Sequence, residues 1–176
     1  HTISVSAFLL IRSSDVASKF LETLKTTNAD AIISPVLHYY ESDGAYVLHG
    51  EFRRNLAGLR DFGAIADQFD PVGMHCLAFK TSILKEIGLK LPEHSLYTDT
   101  FYAFLPMLRI QTIYFLNKPV YVYFNGRNEQ STSKKSRIKH YQEFLEISKK
   151  IISFTISSEL PAPTQSYLTA YATIIA

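Results

Sequence analysis

Two β-rich apolar runs with one amphipathic helix between them constrain this chain more than any other feature. Thr2 to Ile11 reads TISVSAFLLI and Ala31 to Tyr39 reads AIISPVLHY. Both are rich in β-branched or aromatic residues and bounded by turn formers, the pattern of buried strands. Between them, Val16 to Thr26 sets Phe20, Leu21 and Leu24 on one face, with Ser14 or Asp15 placed to cap it. Strand, helix and strand joined by short loops predict a right-handed crossover unit of an α/β sheet. Pro35 has no N–H to give a ladder, so it predicts a bulge or an edge position in the second run. The turn Ser42-Asp43-Gly44 then predicts a short return strand over Ala45 to His49.

The rest of the chain continues the alternation. Phe52 to Asp70 is weakly patterned, with a short helix expected near Leu59 to Phe69 in a connecting or lid region. Gly73 to Phe79 predicts a strand, and Thr81 caps a helix through Ile87 that Gly88 closes in the left-handed conformation. Asp99 to Leu108 predicts a helix, apolar at Phe101, Tyr102 and Leu105 and bent or shortened by Pro106. Thr112 to Leu116 and Val120 to Phe124 predict two strands broken by a turn at Asn117-Lys118-Pro119. After the polar loop Asn125 to Ser133, a long amphipathic helix is expected to about Ile156. Pro161 and Pro163 mark a break before a last helix over Thr164 to Ala176.

Composition narrows the classes. A chain of 176 residues, 47% hydrophobic and 19% charged, reads as globular rather than disordered. A net charge of +2 does not suit nucleic acid, which calls for a strongly basic face. Cys76 is the single cysteine, so no internal disulfide forms and a reducing compartment fits. No apolar run reaches the roughly 18 to 20 residues of a membrane span, and no basic segment leads the chain as in a secretory signal. Gly-rich phosphate loops, paired-cysteine metal motifs and G-x-S-x-G elbows do not occur.

Four pieces follow one another in a telling order: HCLAFKTSILKEIGLKLPE, YTDTFY, IYFLNKPVYVYF and GRNEQSTS. Together they resemble the C-terminal half of a family-2 glycosyltransferase of the GT-A fold, of the bacterial kind that builds surface polysaccharides. That family runs from a strand, a Lys or Arg and a helix to an apolar-Pro-Glu segment. A loop ending in Glu-Asp or x-Asp follows, then two strands of the form IYFI-x-x-PLYYY, then GR-x-x-QS-x-S. The resemblance covers about Met74 to Ser133 and extends loosely back to Arg12. No single piece is specific; the ordered set carries it.

The resemblance implies an α/β fold, a partial GT-A, Rossmann-like mixed sheet with C-terminal helices. Residues 1–132 would form the C-terminal part of a glycosyltransferase domain and 133–176 a helical extension. It implies inverting transfer of a sugar from a nucleotide-sugar to a carbohydrate acceptor, with Asp99 as the base that takes the acceptor hydroxyl's proton. A helix N-terminus would keep that carboxylate ionised. Thr98 stands where the family often has Glu. The family's D-S-D-D metal turn falls on Arg12-Ser13-Ser14-Asp15, leaving only Asp15. The Mg²⁺ or Mn²⁺ site is therefore degraded, with Asp15 a weak ligand. Arg12 is placed to stand in for the metal by pairing with phosphate.

Arg127 and Gln130 lie in the polar loop that follows a strand end, where binding groups often sit. Arg127 suits a diphosphate and Gln130 an acceptor; a solvated loop is the competing reading. The family's opening strands and nucleotide-base pocket have no counterpart here. The expectation is that the natural protein continues before His1 or that another chain, for instance a second copy, supplies them. A cytoplasmic location follows, with peripheral contact at the inner face of the membrane.

Each candidate has a plainer reading beside it. Asp99 also suits a helix N-cap, as does Asp15. His75 reads as an acceptor contact or as a core histidine. Its neighbour Cys76 would point to the opposite face of a strand, so the two form no dyad. His38 and His49 lie on separate strands without metal-ligand spacing and read as structural. Tyr97, Tyr102, Tyr114, Tyr121 and Tyr123 read as sheet packing, with one or two free to stack on sugar. Lys134, Lys135, Arg137, Lys139, Lys149 and Lys150 read as a wet helix face or as an attraction for anionic lipid. A degenerate, non-catalytic glycosyltransferase module that scaffolds a partner or binds glycan is the alternative to an enzyme.

Overall fold

The computed structural model describes residues 3–4, 14–50, 56–93, 95–125 and 134–175. Arg12, Arg127, Gln130, most of the first expected strand and the loop after Asn125 lie outside the described residues.

The chain forms an α/β structure with two mixed sheets. Strands β1 (Ile3–Ser4), β2 (Ala31–Ile33), β5 (Gly58–Asp61), β6 (Leu77–Lys80) and β7 (Thr112–Phe115) make the larger one, in the order β1-β6-β2-β7-β5. β1 and β2 are both antiparallel to β6, so they run parallel to each other with β6 between them. β2 and β7 are parallel. The smaller sheet is β4-β3-β8, built from β3 (Val36–Tyr40), β4 (Ala45–His49) and β8 (Tyr121–Asn125).

Side-chain alternation on the large sheet feeds two cores. Ile32 and Ala78 point to one face, where helix α1 (Ser14–Thr26) lays Phe20 against them together with Leu116 and Val120. Ala31, Ile33, Leu77, Phe79, Ile113 and Phe115 point to the other. That face is covered by α2 (Phe62–Ile65), α4 (Asp99–Phe104), α6 (Tyr141–Ser157) and α7 (Ala162–Ile175). Strands covered on both faces are apolar throughout, which is why β2 is buried at every position. Phe104, Met107, Ile151 and Leu168 are each 0% exposed, so the C-terminal helices share one core with the sheet. Removing a ring such as that of Phe104 from this core costs about 3–5 kcal/mol.

Pro35 produces more than a bulge. The expected strand over Ala31 to Tyr39 is two strands, one in each sheet, parted at Pro35, which has no N–H to give a ladder. Ser34 N–H still bonds to the carbonyl of Cys76 at 2.9 Å, the next partner in the β2–β6 register, and Leu116 N–H to the Ile33 carbonyl at 2.9 Å closes the β2–β7 pairing. Beyond these bonds both chains pass to the small sheet, where β8 lies beside β3. The two runs around Asn117-Lys118-Pro119 therefore belong to different sheets.

Four other expectations are corrected. The strand expected over Gly73 to Phe79 begins only at Leu77, since Met74–Cys76 is a 3₁₀ turn closed by Cys76 N–H on the Gly73 carbonyl at 3.0 Å. Thr81 is the first residue of α3 (Thr81–Glu86), and its buried hydroxyl has no hydrogen-bond partner, so it caps nothing. The segment near Leu59 to Phe69 opens as β5 and turns helical only at Phe62, where Asp61 caps α2 through Ala64 N–H at 3.0 Å. The long C-terminal helix breaks at His140 (φ −112°, ψ 23°) into α5 (Lys134–Lys139) and α6. Gly88 closes α3 at φ +59° as expected, and Pro106 converts the end of α4 to a 3₁₀ turn over Leu105–Leu108.

Candidate functional site

The crease between the sheets brings His75 together with His38, Tyr121 and Tyr123. At the point where β2 leaves the large sheet, Ser34 holds the Met74–Cys76 turn, and α4 and β8 pack against that turn. His75 on the turn is half-buried, its ring stacked on Tyr121 at 5.9 Å and packed against Tyr123 at 5.4 Å. His38 on β3 lies 6.2 Å from His75, 5.1 Å from Tyr123 and 4.2 Å from His49 on β4. Asn125 Nδ2 meets His38 Nδ1 at 3.1 Å, and the Tyr40 hydroxyl lies 3.4 Å from His49 Nε2. Imidazoles and phenols thus line one face of the small sheet. Burial, and next the neighbouring His38, hold the His75 imidazole down to about 4, so it is neutral at physiological pH. Burial first and His49 second also lower His38.

Asp99 opens α4, the helix that packs against the Met74–Cys76 turn. It is the first helical residue, and Thr98 occupies the cap position without a side-chain cap bond. The segment before it is strained: Tyr97 has φ +63°, a left-handed conformation that costs a non-glycine residue about 1–2 kcal/mol. Tyr97 is held by its ring, edge-on to Phe144 of α6 at 5.3 Å. Beside it, Glu143 Oε2 accepts from Leu96 N–H at 2.8 Å and from the Ser95 hydroxyl at 3.2 Å. Glu143 Oε1 accepts from His140 Nδ1 at 2.6 Å.

Asp99 is open to solvent by surface area, yet the protein packed around its carboxyl raises its pKa. Burial outweighs the backbone N–H groups of Thr100 and Asp99 itself, which act to lower it. The helix end therefore does not hold this carboxyl below its ordinary value; α4 is only 6 residues long. Burial first, and the Asp99 carboxylate among lesser causes, push the Tyr171 phenol of α7 above its ordinary value. Tyr171 therefore stays protonated, with its hydroxyl within electrostatic reach of Asp99.

The other sequence candidates fall elsewhere. Asp15 is in the first turn of α1 rather than ahead of it, exposed, on the opposite face of the large sheet from α4. Ser14, the other proposed cap, is likewise inside the helix. Cys76 does not sit in a strand, so the opposite-face argument does not apply. Its thiol is 5% exposed and pushed up to about 12 by burial, which makes it inert at neutral pH. Among the described residues, no three His, Cys, Asp or Glu side chains gather so as to hold a metal ion, and a lone carboxylate at Asp15 does not suit Mg²⁺. Tyr102 is core, Tyr97 packs on Phe144, and Tyr121 and Tyr123 stand beside His75.

Sequence reasoning missed Glu143, Tyr171 and the proximity of His38 to His49. The last was legible: pairing Ala45 to His49 back on β3 places both rings on one face two residues out of register. Two surface depressions, of about 650 Å³ beside Glu86, Arg109 and Leu160 and about 720 Å³ along α7, are lined by neither Asp99 nor His75. No helix among the described residues is long and apolar enough to cross a membrane. No protein-family model matches the chain, and no curated protein matches it in sequence.

Proposed function

We propose that this chain carries the acceptor side and catalytic base of a glycosyltransferase that uses a nucleotide-sugar donor, in the building of a surface polysaccharide. The observation that carries the reading is Asp99, an accessible carboxylate of raised pKa that follows the strained Tyr97 and opens α4, the helix packed on the turn that carries His75. A base of raised pKa binds the proton it takes more firmly. The acceptor hydroxyl oxygen attacks the sugar's anomeric carbon as its proton passes to the Asp99 carboxylate. The bond from that carbon to the diphosphate oxygen breaks, and the nucleoside diphosphate leaves with the electron pair. His75, Tyr121 and Tyr123 supply flat apolar faces for a sugar ring, and the neutral imidazole offers it one donor or acceptor. Donor contacts from Arg12, Asp15 and Arg127, and an acceptor contact from Gln130, belong to the same proposal and rest on the resemblance alone. So do inversion, the GT-A fold and the location at the cytoplasmic face of a membrane.

The test is sugar transfer from a panel of nucleotide-sugars by the wild type and by Asp99→Asn. Loss of a positioned base lowers turnover by about a hundredfold or more. Wild-type turnover in the variant removes Asp99 from that role. A second reading, a glycan-binding module without catalysis, is favoured by the ring cluster at His38, His49, His75, Tyr121 and Tyr123. It requires those rings and not Asp99. Glycan binding that persists in Asp99→Asn and vanishes in Tyr121→Ala, with no turnover by the wild type, selects it.

A further inference from the structure

Helices α5 and α6 run almost as one: His140 N–H bonds to the Ser136 carbonyl at 3.0 Å and Phe144 N–H to the His140 carbonyl at 3.2 Å. Their inner face is spent on the core through Ile147, Ile151 and Thr155. Their outer face carries large apolar side chains among its charges. Ile138 is 65% exposed, Tyr141 59% and Leu145 47%; Tyr141 and Leu145, four apart, share one side of α6, and Ile138 continues the stripe across the His140 break, which the two hydrogen bonds span. Three large apolar side chains in a row on a solvent-facing helix mark an interaction surface.

The charges beside the stripe say what it meets. From Lys134 to Lys150 the chain carries six basic and two acidic residues. Lys135, Arg137 and Lys139 are exposed around the stripe. Of the two acids, Glu143 turns inward to Ser95, Leu96 and His140, and Glu146 is paired with Lys149 at 2.9 Å. We infer that this outer face docks on an anionic lipid surface, the apolar stripe entering the boundary between headgroups and acyl chains while the basic residues meet lipid phosphates. A second copy of the chain fits less well, since a two-fold contact through this face would bring the same cations together. The inference deepens the membrane location in the proposed function, and its vesicle test reads out independently of sugar transfer.

Co-sedimentation of the full chain with vesicles tests it. Vesicles of phosphatidylcholine mixed with phosphatidylglycerol should bind the protein, pure phosphatidylcholine should not, and added salt should weaken the binding. The pair Ile138→Ser and Leu145→Ser, and separately the pair Lys135→Gln and Lys139→Gln, should each weaken it about tenfold or more. Both variants should keep the wild-type melting temperature, because all four side chains are exposed. The inference is overturned by absence of binding to either vesicle, by equal binding to both, or by binding that neither variant weakens. A concentration-dependent dimer that Ile138→Ser with Leu145→Ser dissolves would also overturn it, assigning the stripe to a second copy.

Discussion

Glu143, on the helix α6, accepts the backbone N–H of Leu96 at 2.8 Å, three residues before Asp99. The C-terminal helical region thereby anchors the segment that leads to the candidate base. His140 first, then Leu96, hold the Glu143 carboxyl below its ordinary value, so it is ionised and a strong acceptor at neutral pH. Replacing Glu143 with Ala releases the Leu96 N–H and the Ser95 hydroxyl together. Hydrogen exchange at the Leu96 amide should accelerate severalfold with the core amides of β2 and β7 unaffected. Unchanged protection at Leu96 would show that the Tyr97–Phe144 ring contact holds the segment by itself.

Asp99 sets function against stability. Its folded-state pKa is raised above the unfolded value near 3.8. The stability it contributes is therefore fully present below that value and lost as pH rises through the folded pKa. Asp99→Asn keeps the shape and abolishes the ionisation, so the variant should melt higher than the wild type at pH 7. Under the proposed reaction it should also lose turnover. A lower melting temperature would mean that the carboxylate stabilises the start of α4 as a cap does.

His75 gives the opposite sign. Its folded pKa is about 4 against 6.5 in the unfolded chain. Between those values the unfolded state binds more protons, so stability falls as pH drops from about 6.5 to about 4. The loss is on the order of 3 kcal/mol. Denaturant titrations across this range should show the loss in the wild type and a shallower one in His75→Phe. A His75 imidazole titrating near 6.5 by NMR would contradict it.

Asp30 is a structural keystone at the start of β2. Its Oδ2 accepts from Gln111 N–H at 3.0 Å and Thr112 N–H at 3.1 Å, and its Oδ1 from Lys80 Nζ at 3.2 Å. Burial acts to raise its pKa, but these donors outweigh it and hold the carboxyl below its ordinary value. The stability it contributes is present above its unfolded pKa and lost as pH falls through the folded one. Asp30→Ala strands two backbone donors where β6, β2 and β7 meet, at a cost of about 1–3 kcal/mol. Chemical denaturation at pH 7 measures it, and a change within ~0.5 kcal/mol would show that water replaces the carboxylate.

The amino-acid sequence by itself determined the local elements. The apolar alternation of Ala31 to Ile33, the face of Phe20 and Leu24, the stop at Gly88 and the break at Pro106 are set by neighbours within a few residues, where propensity and periodicity act. Asp99 at the mouth of a helix was legible for the same reason. Only the tertiary structure decided what lies around it. That the chain changes sheets at Pro35 depends on which strands flank it: β2 pairs with β6 as far as the Ser34 N–H on the Cys76 carbonyl, 42 positions away, whereas β3 pairs with β4 and β8. The pKa of Asp99 depends on how closely other elements crowd it, and the grip on its approach depends on Glu143, 47 positions from Leu96. Such contacts form between elements that are already folded, and no local pattern in the chain encodes them.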